Sequence, residues 1–128
     1  MKPLRVALFV LLAAIPVLAH HGGAGYEEKT QVFVGTVKQF QFTNPHSWIQ
    51  VAVTDQSGKV TEWSLEWGSP NSLVRDGVHP STFPAGAKAT FQIHPAKNGV
   101  KAGLFQGAKF DDGTVVGKWD AQAGNGNY

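Results

Sequence analysis

The sequence predicts an all-β fold: a small Greek-key barrel of five to six strands, with one short helix between the third and fourth strands. Three observations carry this. Apolar and polar residues alternate on either side of a tight, glycine-bearing loop at Gln56-Ser57-Gly58. A glycine, Gly35, interrupts the first β-rich stretch, as at a bulge or a barrel corner. The short segment Ser69 to Gly77 carries helix start and stop signals and separates three strands from the rest.

The elements follow in order. Residues 1–19 have the form of a Sec-type signal peptide: Lys2 and Arg5, an apolar run of 14 residues from Val6, then Val17-Leu18-Ala19. The run is too short for an ordinary membrane span of about 20 residues, so a periplasmic or secreted protein is expected. Residues 20–30 are glycine-rich and polar and read as an extended lead. A barrel over 31–119 follows, and 120–128 reads as a disordered tail. The first strand covers Val32 to Phe40. Asn44-Pro45 then marks a turn.

Trp48 to Thr54 and Lys59 to Trp67 form the next hairpin. A three-residue loop with Gly58 left-handed pairs Val53 with Thr61, Val51 with Trp63 and Ile49 with Leu65. The apolar residues then share one inward face. Trp48, Gln50, Ala52, Glu62, Ser64 and Glu66 face outward, with His46 on the same side. Ser69 is placed to cap a short helix, with Pro70 at its first position and Gly77 at its end. Lys88 to His94 turns Ala89, Phe91 and Ile93 inward. Ala102 to Phe110 and Thr114 to Trp119 complete the set. This order resembles an OB-fold, a topology that implies no function by itself.

Composition narrows the function. No cysteine is present, so neither disulfides nor a lipidated cysteine enter the argument. The formal charge of +2 comes from Lys2 and Arg5. Without them nine basic residues face nine acidic ones. Nucleic acid is therefore not an expected partner, because phosphate contacts dominate such affinity. Cleavage after Ala19 also removes the only methionine, so a metal site must use His, carboxylate, amide or backbone groups. That favours Cu(II), Zn or Ni over Cu(I). No nucleophile elbow, His-Glu-x-x-His, phosphate loop or dinucleotide fingerprint occurs, and a non-enzymatic binding protein is expected.

The same cut leaves His20 as the first residue of a 109-residue chain. Its amine and imidazole can chelate one metal ion, and a second imidazole would complete a three-nitrogen copper site. His46 is the preferred partner; His21, His79 and His94 are the other histidines. Gly22 stands where the amino-terminal copper motif has a histidine. The bland alternative is a polar leader of no function. A second candidate is metal-free: a ligand or partner-protein face built from His46, Trp48 and Glu66, with Asn44 beside it. Against it stands a purely structural role, in which Asn44-Pro45 makes the turn, Trp48 covers the wall and Glu62 and Glu66 are solvated. Arg75 suits the end of a short helix. Asp111-Asp112-Gly113 lacks the oxygen ligands of a calcium loop.

Ala19-His20-His21, Gly35-Thr36-Val37, Asn44-Pro45-His46-Ser47-Trp48-Ile49, Gly68-Ser69-Pro70-Asn71-Ser72-Leu73 and Arg75-x-Gly77 occur together. As a set they resemble an uncharacterised family of short exported bacterial proteins. The resemblance implies export and a shared fold, with the histidine pair at the mature start, and carries no activity. Small periplasmic copper chaperones with OB barrels are similar only in topology. They bind Cu(I) through a histidine, two methionines and a stacked tryptophan, and no methionine remains here after cleavage at Ala19.

Overall fold

The computed structural model describes residues 24–123. The proposed signal peptide, His20 and His21 lie outside these residues, as do residues 124–128. Among the described residues six strands form: β1 Gln31–Gln41, β2 Trp48–Thr54, β3 Val60–Glu66, β4 Lys88–Pro95, β5 Ala102–Phe110 and β6 Val115–Gly117. One helix, α1 (Pro70–Arg75), and a 3-10 turn at Pro80–Thr82 lie between β3 and β4.

The sheet runs β3-β2-β1-β4-β5-β6, and a parallel pairing of β3 with β5 closes a five-stranded barrel, with β6 as an extra strand on β5. This is the OB-like Greek key anticipated from the element order. The β2–β3 register is also the expected one: Val53 opposite Thr61, Val51 opposite Trp63 and Ile49 opposite Leu65. Gly58 has φ +85°, the left-handed geometry the loop needs. Asp55 Oδ1 accepts from the backbone N–H groups of Ser57 and Lys59 at 2.8 and 3.0 Å and fixes the loop.

Gly35 behaves differently from a simple strand break. β1 runs through it without interruption, and the ladder irregularity falls between Val37 and Gln39. β1 pairs with β4 up to Thr36 and with β2 from Thr36 onward. Gly35 therefore stands where the strand changes partner across the barrel. A Cβ there would meet Val51 Cγ1 at 2.3 Å, so a side chain at this close approach of β1 to β2 would have to displace the buried Val51.

The barrel interior holds Val37, Ile49, Val51, Trp63, Leu65, Phe83, Phe91, Ile93 and Phe105, each under 10% exposed. Phe83, from the segment after the 3-10 turn, meets the rings of Phe40, Trp67, Phe91, Phe105 and Phe110 with centroids 5.5–6.2 Å apart. Such ring contacts add to burial in a core that has no disulfide. Ser69 caps α1, with its side chain accepting from Ser72 N and Pro70 in the first turn; Gly77 follows with φ +79°.

Three details depart from the alternating pattern. β6 ends at Gly117 rather than Trp119, because Gly117 turns to φ +77°. Gln92 is 1% exposed although it alternates with the inward-facing Phe91 and Ile93, because the chain after β6 returns over it; the β4–β5 ladder skips Gln106 beside it. The Gln92 amide bonds the backbone of Asp120 twice, at 2.5 and 2.9 Å. The first part of the expected tail is consequently an anchored turn, with Gln122 N donating to Asp120 Oδ1. Among the described residues no helix is long and apolar enough to cross a membrane.

Candidate functional site

The site grows from the Phe42–Ser47 loop that joins β1 to β2. Thr43 Oγ1 donates to the carbonyl of His46 at 3.1 Å. Ser47 N donates to Gly68 O, and Trp67 N donates to Ser47 O, both at 2.9 Å. These bonds clamp the loop to the chain leaving β3 and fix the His46 backbone beside the end of that strand. The Asn44–Pro45 peptide is cis.

His46 Nδ1 lies 2.6 Å from Glu66 Oε1. The contact is an ion pair when the imidazole is protonated and, when it is not, a hydrogen bond donated by Nδ1–H to the carboxylate. Glu66 is only 15% exposed in its side chain, whereas that of His46 is 47% exposed. The other carboxylate oxygen of Glu66 accepts the hydroxyl of Tyr26. Partial burial, then the hydrogen bond and charge of Glu66, hold the Tyr26 phenol above its ordinary value of 10.0. Tyr26 thus remains a neutral donor at physiological pH.

Tyr26 is itself anchored. It bridges Ala96, Glu27 N donates to Pro95 O at 2.8 Å, and Lys97 N donates to Gly25 O at 3.0 Å. The lead is therefore docked along the end of β4 from Gly25 onward. Its phenol, the carboxylate and the imidazole form one chain, Tyr26–Glu66–His46. With Nδ1 engaged, Nε2 is the ring atom left for a ligand, the arrangement found when a carboxylate orients a metal-binding histidine.

The neighbourhood is part polar, part apolar. Trp48 lies opposite Glu66 in the β2–β3 ladder, on the same outer face. Behind it Ser64 Oγ donates to Gln50 Oε1, and Gln50 Nε2 donates to Gln41 Oε1. A depression of about 330 Å³ beside the pair is lined by Pro45, His46, Glu66, Trp67, Ser69 and Leu104, among others.

The residues selected from the sequence separate clearly. His46, Glu66 and Trp48 come together at one end of the outer face. Asn44 is exposed in the adjoining loop, and its neighbour Pro45 lines the depression instead. Glu62 keeps the solvated role, pairing at 3.4 Å with exposed Lys38, a contact that contributes about 0–1 kcal/mol. Glu66 does not share that role, because it is mostly enclosed between two donors. His94, expected at an exposed turn, is half-buried with Nδ1 3.0 Å from Lys29 O. His79 sits exposed at the start of the 3-10 turn. His20 and His21 are outside the described residues. Among those residues no three His, Cys, Asp or Glu side chains gather as a metal-binding group.

Tyr26 and Trp67 are the site residues that sequence reasoning misses. One signal points to Tyr26: it is the sole aromatic residue in the lead between His20 and Gln31.

Fold and site together define an OB-like barrel that carries a carboxylate-held histidine where its N-terminal lead docks. The chain belongs to the family of unknown function DUF6152, which it matches over residues 8–106. No curated protein and no solved structure matches it.

Proposed function

We propose that this is an exported, non-enzymatic binding protein for a divalent metal, copper foremost. The ligands are the amine and imidazole of His20 at the mature terminus and Nε2 of His46, with His21 as the alternate donor in the lead. The observation that carries this reading is the Tyr26–Glu66–His46 chain. Glu66 occupies Nδ1 of His46 and so directs Nε2 outward. The same carboxylate tethers Tyr26, six residues from His20. Six extended residues span about 20 Å, so the tether leaves the terminus within range of His46. Three nitrogens favour Cu(II) over the other divalent first-row ions.

The test is titration with Cu(II) and Zn(II) of protein beginning at His20 and of a form with one extra N-terminal residue. The reading expects one tight Cu(II) equivalent that the extension abolishes. Affinity should also fall as pH drops through the range near ~6.5–8, where imidazole and amine gain protons. Binding that is weak, or indifferent to the extension, contradicts it. The reading left would be a metal-free module that takes a ligand or partner protein on the His46/Trp48/Glu66 face. The apolar wall of Trp67 and Leu104 beside that pair favours it.

A further inference from the structure

A second depression of the barrel adjoins the His46 site but is built from other charged groups. It measures about 470 Å³, within the size range of small-molecule sites. It meets the His46 depression at Trp67 and Leu104, which line both. Its apolar wall is Trp67, Val78 and Phe105. Trp67 is held firmly, with its ring centroid 4.6 Å from that of Phe105. Val78 is 5% exposed, and its N–H donates to Leu73 O at 2.9 Å. This surface is therefore preformed.

Two opposite charges border the apolar wall from different elements. Asp76 is the C-cap residue of α1. Lys118 follows β6, with its backbone N–H bonded to Gln106 O at 2.8 Å. Both line the cavity. Neither forms a salt bridge, with the other or with any described residue; the ion pairs present are Lys38–Glu62 and His46–Glu66. An anion and a cation that share one concavity and stay apart can each receive a complementary charge from a ligand.

The lysine wall also depends on a backbone position that admits no side chain. A Cβ on Gly117 would meet Gln106 O at 2.5 Å and Phe105 Cε1 at 3.1 Å, and its φ is +77°. Glycine there lets β6 lie close against β5 and sets Lys118 at the rim.

We propose that this cavity binds a small zwitterion with an apolar side chain, of amino-acid to dipeptide size. Its ammonium group pairs with Asp76, its carboxylate pairs with Lys118, and its side chain lies on Trp67, Val78 and Phe105. Both charges are at a solvent-open rim, so each contributes modestly. Selectivity for the doubly charged ligand, rather than high affinity, is the signature. Neither His20 nor His46 takes part, so this site stands or falls apart from metal binding.

The test is amide NMR of the metal-free protein in excess chelator, titrated with L-leucine, L-leucine amide and N-acetyl-L-leucine. L-leucine should give saturable shifts at Asp76, Val78, Gln106 and Lys118. Each singly charged analogue should bind about fivefold more weakly. Asp76→Asn should weaken L-leucine and L-leucine amide but not N-acetyl-L-leucine. Lys118→Met should weaken L-leucine and N-acetyl-L-leucine but not the amide. Both positions are exposed, so the fold tolerates both changes. Equal binding of the three probes, shifts scattered away from the cavity, or no saturable shift would overturn the proposal.

Discussion

The two faces of the β2–β3 hairpin have the same backbone and opposite content. Inward, Ile49, Val51 and Leu65 are fully buried and Trp63 nearly so. Outward, Trp48, Gln50, Ser64 and Glu66 interleave with them in the same ladder, and all stay partly accessible. The inner side chains touch other apolar groups. The outer ones are joined by directed bonds: Ser64 to Gln50, Gln50 to Gln41, and Glu66 to both His46 and Tyr26. A strand period of two separates burial from chemistry residue by residue. The inner face should then govern stability, and the outer face should govern binding.

Adjacent substitutions on β3 test this most strongly. Leu65→Ala should destabilise by about 2–5 kcal/mol through lost burial and the cavity left behind. Ser64→Ala, one residue away on the outer face, should cost about 1 kcal/mol. Chemical denaturation measures both, and similar costs would break the comparison.

Gly35→Ala comes next. Its new methyl would lie inside contact distance of Val51 Cγ1 and near Ala52 O. Overpacking of this kind costs about 1–3 kcal/mol. A stabilising effect would show that β1 and β2 can separate without penalty.

Tyr26→Phe probes the outer face from the lead. Removing the hydroxyl should cost about 1 kcal/mol and loosen residues 24–30, read as faster amide exchange at Glu27 and Lys97. The pH dependence sharpens it. The folded phenol titrates above the ordinary 10.0, so folding favours its protonated form. Its stability contribution is complete below pH about 10 and is lost as pH rises beyond that toward the folded value. The gap between wild type and Tyr26→Phe should shrink over that alkaline range. A constant gap would mean that the hydroxyl does not hold the lead.

The smallest effect is expected at Ser47→Ala. Ser47 is 0% exposed, and its hydroxyl has no hydrogen-bond partner among the described residues. Removing an unsatisfied buried group should leave stability unchanged or raise it by up to about 1 kcal/mol. A clear loss of stability would reveal a bond that this hydroxyl makes through solvent.

The hairpin is legible in the sequence because its information is local. Alternation selects the buried face, and Asp55 to Lys59 supplies one loop length that keeps the faces consistent. The helix is legible for the same reason, through Ser69, Pro70 and Gly77. From that register Trp48 and Glu66 fall on one face with His46 nearby. Tyr26 is not legible as a partner of Glu66, because the two are 40 positions apart and a glycine-rich lead has no periodicity. Gln92 misleads for a related reason. It lies between the inward-facing Phe91 and Ile93 and so belongs to the outer face, yet the backbone of Asp120, 28 positions away, returns to cover it and to bond its amide.

In the proposed metal site His46, oriented through Glu66, supplies a ligand to the metal held by the N-terminal histidine. Electron paramagnetic resonance of the Cu(II)-loaded protein that begins at His20 tests this most directly, compared with His46→Ala in the same form. Three-nitrogen coordination is predicted in the parent protein, with the loss of one nitrogen in His46→Ala and the remaining pair from His20 intact. Identical spectra for the two proteins would contradict it, and would leave His46 and Glu66 as a structural pair that holds Tyr26 and the lead in place.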